Sequence, residues 1–314
     1  MLKRSMLLIF ILLLTVGCKH RRAPEPMETM FLGTSPQTRS LPAFNHIVVN
    51  GALNVNLYTG DPRPHVVLRG DPRDISQLVT KVVNNTLTVA YVKGKPKYGS
   101  VLVEIHTRNL NSFVYAGGGE INGQHIRSNS LDLDISNPGR TRLNGNIHLT
   151  SLELDGPGYT EIGGVTANHL QLSLSGKAKV QLIGVANLSN IDLDGDGWFG
   201  VYWVNSNLLT VRARGKSTIK LAGIANKLDL ELWDRAHFNG RYLRTRTVFA
   251  KTHNHSVAEI TTLKRQHTLA TEASDIYFYK IPEMKADFMA YNGSVLDMRG
   301  WNPDNLEDYN RYNK

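Results

Sequence analysis

The sequence has one cysteine, Cys18, so the chain forms no internal disulfide. The apolar run Met6–Val16 is too short to span a bilayer as a permanent helix. No Gly-x-Ser-x-Gly elbow is present, which removes the commonest serine-hydrolase arrangement. Over the long repetitive stretch from Leu110 the apolar residues show no helical periodicity. Aromatic residues make up 8% of the chain, and none forms a base-stacking motif beside a basic cluster. Nucleic acid is therefore not an expected partner, although the formal charge is +9.

What is present is alternation, repeated. From Leu110 to about Asn302 one pattern recurs, seen in LDLDIS from Leu131, LELDG from Leu152, LQLSLSG from Leu170, IDLDGDG from Ile191, LTVRARG from Leu209 and LDLELWD from Leu228. With further starts at Val248 and Thr268, the steps from Leu110 are 21, 21, 18, 21, 18, 19, 20 and 20 residues. Each copy passes through a small-residue turn into a second short β-like run. A single alternating strand cannot bury its apolar row, but strands stacked about 4.8 Å apart can, leucine over leucine. Glycine-rich corners such as Gly156-Pro157-Gly158 and Gly195-Asp196-Gly197 suit tight turns and close coil packing. The expected fold is all-β: a single-stranded parallel β-helix of about 20-residue coils. A leucine-rich horseshoe is the rival, but its Leu/Asn spacing and its helices are missing.

At the N-terminus, Lys3 and Arg4 precede the apolar run, which ends in Leu14-Thr15-Val16-Gly17-Cys18. This resembles a bacterial lipoprotein signal cleaved before Cys18, with Thr15 where a large aliphatic residue is usual. An ordinary signal peptide with an incidental cysteine is the alternative. The resemblance implies residues 1–17 as signal peptide, Cys18 as the lipidated (palmitate-bearing) residue, and a membrane partnership through that lipid. Lys19 after the cysteine looks like an outer-membrane sorting signal. Residues 18–40, with Arg21, Arg22, Pro24, Pro26 and Pro36, read as a flexible tether. Removal of Lys3 and Arg4 leaves 34 basic and 27 acidic residues, a balance of +7 that favours acidic partners.

The domain proper is expected over 41–302, with 303–314 a polar tail. Residues 41–109 read as irregular first coils that close one end of the core. Within them DISQLVT, Asp74 to Thr80, is expected to be a short helix with Asp74 as its N-cap. Phe44-x-x-Ile47-x-Val49-x-Gly51-x-x-x-Val55-x-Leu57, then Leu68-Arg69-Gly70-Asp71, then Val82-x-x-x-x-Leu87-x-Val89, lead into the strand–Gly–turn repeats. Together these resemble the bacterial GIN domain, an adhesin-head domain, over roughly Phe44 to Leu243. The resemblance implies a β-helix in the cell envelope and supplies no catalytic residues. It weakens late, where Trp233-Asp234-Arg235, His253-Asn254-His255 and Ala273-Ser274-Asp275 replace Gly-x-Gly turns.

Asp192-x-Asp194-x-Asp196-Gly197 begins like an EF-hand loop, but Trp203 stands where the bidentate acid belongs. His253 and His255, with His237 and His267 nearby, are either a metal pair on one strand face or solvent-facing turn residues. Arg212, Arg214, Lys251, Asp194 and Glu231 could serve as a lyase-like constellation, or simply as a ladder of cross-strand charges. In the expected register Leu172 stacks between Leu154 and Leu193, and Arg212 is held between Asp194 and Glu231. Asp132, Asp134, Glu153 and Asp155 crowd two adjacent coils with no base on the same face, which makes them candidate ligands for a divalent cation; a screened acidic face is the alternative. Trp198, Phe199, Tyr202 and Trp203, and Tyr277, Phe278 and Tyr279, send some rings outward, where they could stack on sugars.

These observations point to a non-catalytic envelope lipoprotein, outer-membrane anchored and facing periplasm or medium. It would present a β-helix surface to a glycan or an envelope protein and need no cofactor. A polysaccharide-active β-helix enzyme and a purely structural spacer are the alternatives.

Overall fold

The computed structural model describes residues 35–91, 94–280 and 284–298. Cys18, the signal, most of the tether and the whole of the tail at 303–314 lie outside them. The folded unit begins at Ser35. Nearly every described element is a strand. The irregular entry holds β1 (Gln37–Ser40), β2 (His46–Asn50), β3 (Asn54–Thr59), β4 (His65–Arg69), α1 (Pro72–Ile75), β5 (Leu78–Val83), β6 (Thr86–Tyr91), β7 (Leu102–Thr107) and β8 (Ser112–Ala116). The regular coils are β9 (Ile121–Ser136), β10 (Arg140–Asp155), β11 (Tyr159–Gly176), β12 (Lys179–Gly195), β13 (Trp198–Gly215), β14 (Thr218–Leu232), β15 (His237–Thr252) and β16 (Val257–Thr271). The last described coil is split into β17 (Asp275–Lys280), β18 (Lys285–Tyr291) and β19 (Ser294–Asp297).

From β9 to β16 each strand pairs in parallel with the next, which is the β-helix expected from the alternation. The coil has three sides where the sequence shows two runs. In β10 the inward residues fall in three pairs, Thr141/Leu143, Ile147/Leu149 and Leu152/Leu154, separated by corners at Asn144–Asn146 and Thr150–Ser151. The middle side is too short to stand out as a separate alternating run. A third corner joins one strand to the next. There Gly176, Gly195 and Gly215 stack in register with φ of 67°, 119° and 73°, a conformation side chains avoid.

The core register differs from the expected one by one inward pair. Leu172, 2% exposed, lies between Leu152 and Ile191, while Leu154 and Leu193 flank Leu174. Aligning the copies at their first leucine misplaces them, because β11 sends three leucines inward along this side and β10 only two. The common mark from β10 to β13 is the glycine corner that follows, Gly156, Gly176, Gly195 and Gly215. The apolar column Leu133, Leu152, Leu172, Ile191, Val211, Leu230 and Ala250 then runs through seven coils, every member buried.

The entry region does close the first coil, but partly with antiparallel pairs. β2 lies parallel to β6 and β8, and β3 parallel to β7 and β9. β4 is antiparallel to β7 and to β1, and β5–β6 form a hairpin through Asn84 and Asn85, both at positive φ. The sheet therefore starts at Gln37, earlier than the expected boundary at 41. The helix also lies earlier than 74–80. Asp71 is its N-cap, accepting from the Arg73 backbone N–H at 2.9 Å, and Pro72 sits in the first turn. Leu78–Val83, rich in β-branched residues, is strand β5 instead. Asp74 lies inside the helix, buried, where its carboxylate accepts from the Tyr91 hydroxyl at 2.6 Å and from the backbone N–H groups of Lys97 and Tyr98 at 3.0 and 2.8 Å. Burial acts to raise the pKa of Asp74, but these bonds outweigh it and hold the carboxyl below its ordinary value.

Candidate functional site

The side bearing the glycine corner presents a ladder of charge. One outward column runs Asp134, Glu153, Ser173, Asp192, Arg212, Glu231 and Lys251, and from Asp192 its signs alternate. Arg212 lies between Asp192 and Glu231, so Asp194 is not its neighbour as expected; Asp194 stands opposite Arg214. The Arg212 guanidinium reaches Glu231 at 3.2 Å and Asp229 at 3.5 Å. Arg214 lies over the Trp233 ring at 4.7 Å, and Lys251 stands opposite Glu231. Each member of the lyase-like constellation therefore has a cross-strand charged or aromatic partner. Of the EF-hand-like triplet, Asp192 and Asp194 face arginines, while Asp196 sits in the corner.

At the other end of this side, Asp134 directly faces Glu153. Asp132 faces Ser151, and Asp155 accepts from the Ser175 hydroxyl at 2.6 Å. A shallow cavity of about 320 Å³ above them is lined by Ser112, Asp132, Asp134, Ser151 and Glu153.

The aromatic coils follow the alternation. Phe199 and Phe278 are buried, Trp198, Tyr202, Tyr277 and Tyr279 are half-buried, and Trp203 is 55% exposed. Trp203 pairs with exposed Val185, and Ile224 on β14 is also exposed, which leaves an apolar patch on the middle side of β12–β14.

The four late histidines have separate environments. His255 is exposed in a turn; His253 bonds the Thr271 hydroxyl at 2.9 Å and stacks on Trp233. His237 lies 3.2 Å from Glu259, and His267 lies 3.1 Å from Asp287. None of these is close to two further ligand-type groups. Among the described residues, the group of three that does converge is Asp61, His65 and His106, with ligand atoms within 4.8 Å of one another.

That group arises from the entry topology. His65 on β4 and His106 on β7 are direct antiparallel partners, and their rings stack with centroids 4.2 Å apart. Tyr58 on β3 stacks on the opposite face of strand partner His106 at 4.5 Å. Asp61 follows the Gly60 turn, where the backbone N–H groups of Gly60 and Asp61 bond the carbonyls of Arg108 and Thr107. Its Oδ2 lies 3.8 Å from His65 Nδ1 and 3.6 Å from His106 Nδ1, while its Oδ1 accepts from the Arg63 N–H at 2.9 Å. His65 Nδ1 donates to the Arg63 carbonyl at 2.9 Å. Burial, and secondarily His65, lowers the pKa of His106, against the pull of Asp61. The sequence signal for this site is slight: Asp61 and His65 are four residues apart, and His106 lies 41 positions beyond His65.

A putative adhesin of Parabacteroides merdae is 16% identical, with 85% of this chain and 97% of that chain covered and a TM-score of 0.46. A putative adhesin of Parabacteroides distasonis is 14% identical, covering 84% and 96%, with a TM-score of 0.43. A protein of the same organism described as a putative lipid binding protein is 11% identical, covering 84% and 97%, with a TM-score of 0.42. No curated protein matches the sequence. The family profile described as "Putative auto-transporter adhesin, head GIN domain" matches residues 43–197, from the first core residues of the entry to the glycine corner after β12. Over residues 43–197, just under half of its length, this chain matches the GIN-domain family of adhesin heads.

Proposed function

We propose that the protein is a non-catalytic, adhesin-like component of the cell envelope, anchored by lipid at Cys18 and presenting the sides of its β-helix to a glycan or an envelope protein. The GIN-domain match over residues 43–197 carries this reading. The outward residues support it. Of the groups best suited to lyase chemistry, Arg212 pairs with Glu231 and Arg214 lies over Trp233, while Asp194 and Lys251 stand opposite Arg214 and Glu231 in the strand register. Exposed Trp203, Val185 and Ile224 offer the kind of aromatic and aliphatic anchor that binding surfaces use. Among the described residues no helix is long and apolar enough to cross a membrane, so the envelope address rests on the N-terminal lipid signal.

Cell fractionation tests the address, with protease treatment of intact cells beside it. The wild type is expected in the membrane fraction after a high-salt wash and Cys18→Ser in the soluble fraction. A Cys18→Ser protein that still sediments with membranes would refute the anchor.

A further inference from the structure

We propose that Asp61, His65 and His106 form a binding site for a transition-metal dication of the Zn²⁺ type, with at least one coordination position left open. Two imidazoles and one carboxylate are a borderline-soft donor set, which suits Zn²⁺ and its neighbours and disfavours Ca²⁺ and Mg²⁺, ions that seek oxygen shells. In a tetrahedral site with metal–ligand bonds near 2.0 Å, ligand atoms lie roughly 3.3 Å apart. The two Asp61–histidine separations, 3.6 and 3.8 Å, exceed this by only a few tenths of an ångström.

The three side chains are gathered by the fold before any ion arrives. His106 is clamped between the Tyr58 and His65 rings, and Asp61 is fixed by its backbone bond to the Thr107 carbonyl. Strand pairing brings the two imidazoles together, but the stacked rings aim their in-plane Nδ1 lone pairs side by side, so binding one ion requires the stack to open as one ring turns. One existing bond must yield. His65 ligates through Nδ1 only in the tautomer that carries its proton on Nε2, so the metal replaces the bond to the Arg63 carbonyl. Beside Asp61 and His65 lies a cavity of about 680 Å³ lined also by Thr38, Ser40 and Arg63, which is room for water or for a donor from a partner.

Isothermal titration of the purified full-length chain with ZnCl₂ tests the site, with thermal melting in the presence of Zn²⁺ or of millimolar Ca²⁺ beside it. One equivalent of Zn²⁺ is expected to bind in the micromolar range or tighter and to raise the melting temperature, and Ca²⁺ to leave this site unaffected. His65→Gln and His106→Gln should each weaken Zn²⁺ binding at least tenfold, as should Asp61→Asn. His253→Gln/His255→Gln should bind like the wild type. Melting in the presence of a chelator separates loss of binding from loss of fold, and any one of the three variants that folds like the wild type suffices for the comparison. No Zn²⁺ binding by the wild type, or unchanged binding in a folded variant, would overturn the proposal.

Discussion

At Asp234, Asn254 and Ala273 the chain does without the glycines that turn its earlier coils. Each residue sits in the left-handed region, with φ of 60°, 59° and 62°. Asp and Asn tolerate this conformation through local polar contacts, and Asp234 makes them: its carboxylate accepts from the Gly215 N–H and from the Asn254 side chain. Alanine has no such compensation. Ala273→Gly is therefore expected to raise stability by about 1 kcal/mol, read as a higher denaturation midpoint; an unchanged or lower midpoint would contradict the strain. The late departures from Gly-x-Gly were visible in the sequence, but not that the same backbone conformation persists through them. The acidic pair is a second residue-scale case. The sequence shows four crowded carboxylates, and the register leaves only Asp134 and Glu153 directly opposed. Asp134→Asn should gain up to about 0.5 kcal/mol by relieving this repulsion. A loss of stability instead, in buffer containing calcium, would show a cation bridging the pair.

Elements report where the core pattern begins and ends. The column Leu209, Leu228, Val248 is interrupted by Gln266 before Ala286; Gln266 is fully buried, with neither side-chain nitrogen nor oxygen hydrogen-bonded. Leaving buried polar atoms unpaired costs about 1–3 kcal/mol, so Gln266→Leu should raise the melting temperature. A fall would mean that the amide is satisfied in solution. At the entry, Asp74 ties α1 to Tyr91 and to the segment at Lys97–Tyr98. Its folded-state pKa is lowered, so its contribution is present above the unfolded value of about 3.9 and is lost as pH falls through the folded value. Asp74→Asn should show a shallower loss of stability between pH 5 and the acid limit, measured by denaturation at successive pH values; an identical acid limb would exclude the role. Strand periodicity and coil length were legible because period two is written in every copy. The one-pair register error at Leu172 and the displaced helix were not, since corner length and hairpin pairing depend on contacts between coils. The antiparallel pairing of β4 with β7 is also what brings His65 to His106, and nothing local in the sequence announces it.

For the whole molecule, the sequence resemblance ran from Phe44 to Leu243, and the family match covers 43–197; the coils beyond continue the same solenoid with different corners. A solenoid of this kind offers long outward columns, and under the proposed function an extended partner would lie along them. The apolar patch around Trp203 is where such recognition would draw its binding energy. Binding to a glycan array, wild type beside Trp203→Ala, tests this most directly. The wild type should retain at least one class of glycan, and Trp203→Ala should lose it with an unchanged melting temperature. Equal binding by the two proteins, or none by the wild type, would contradict a glycan-binding surface there.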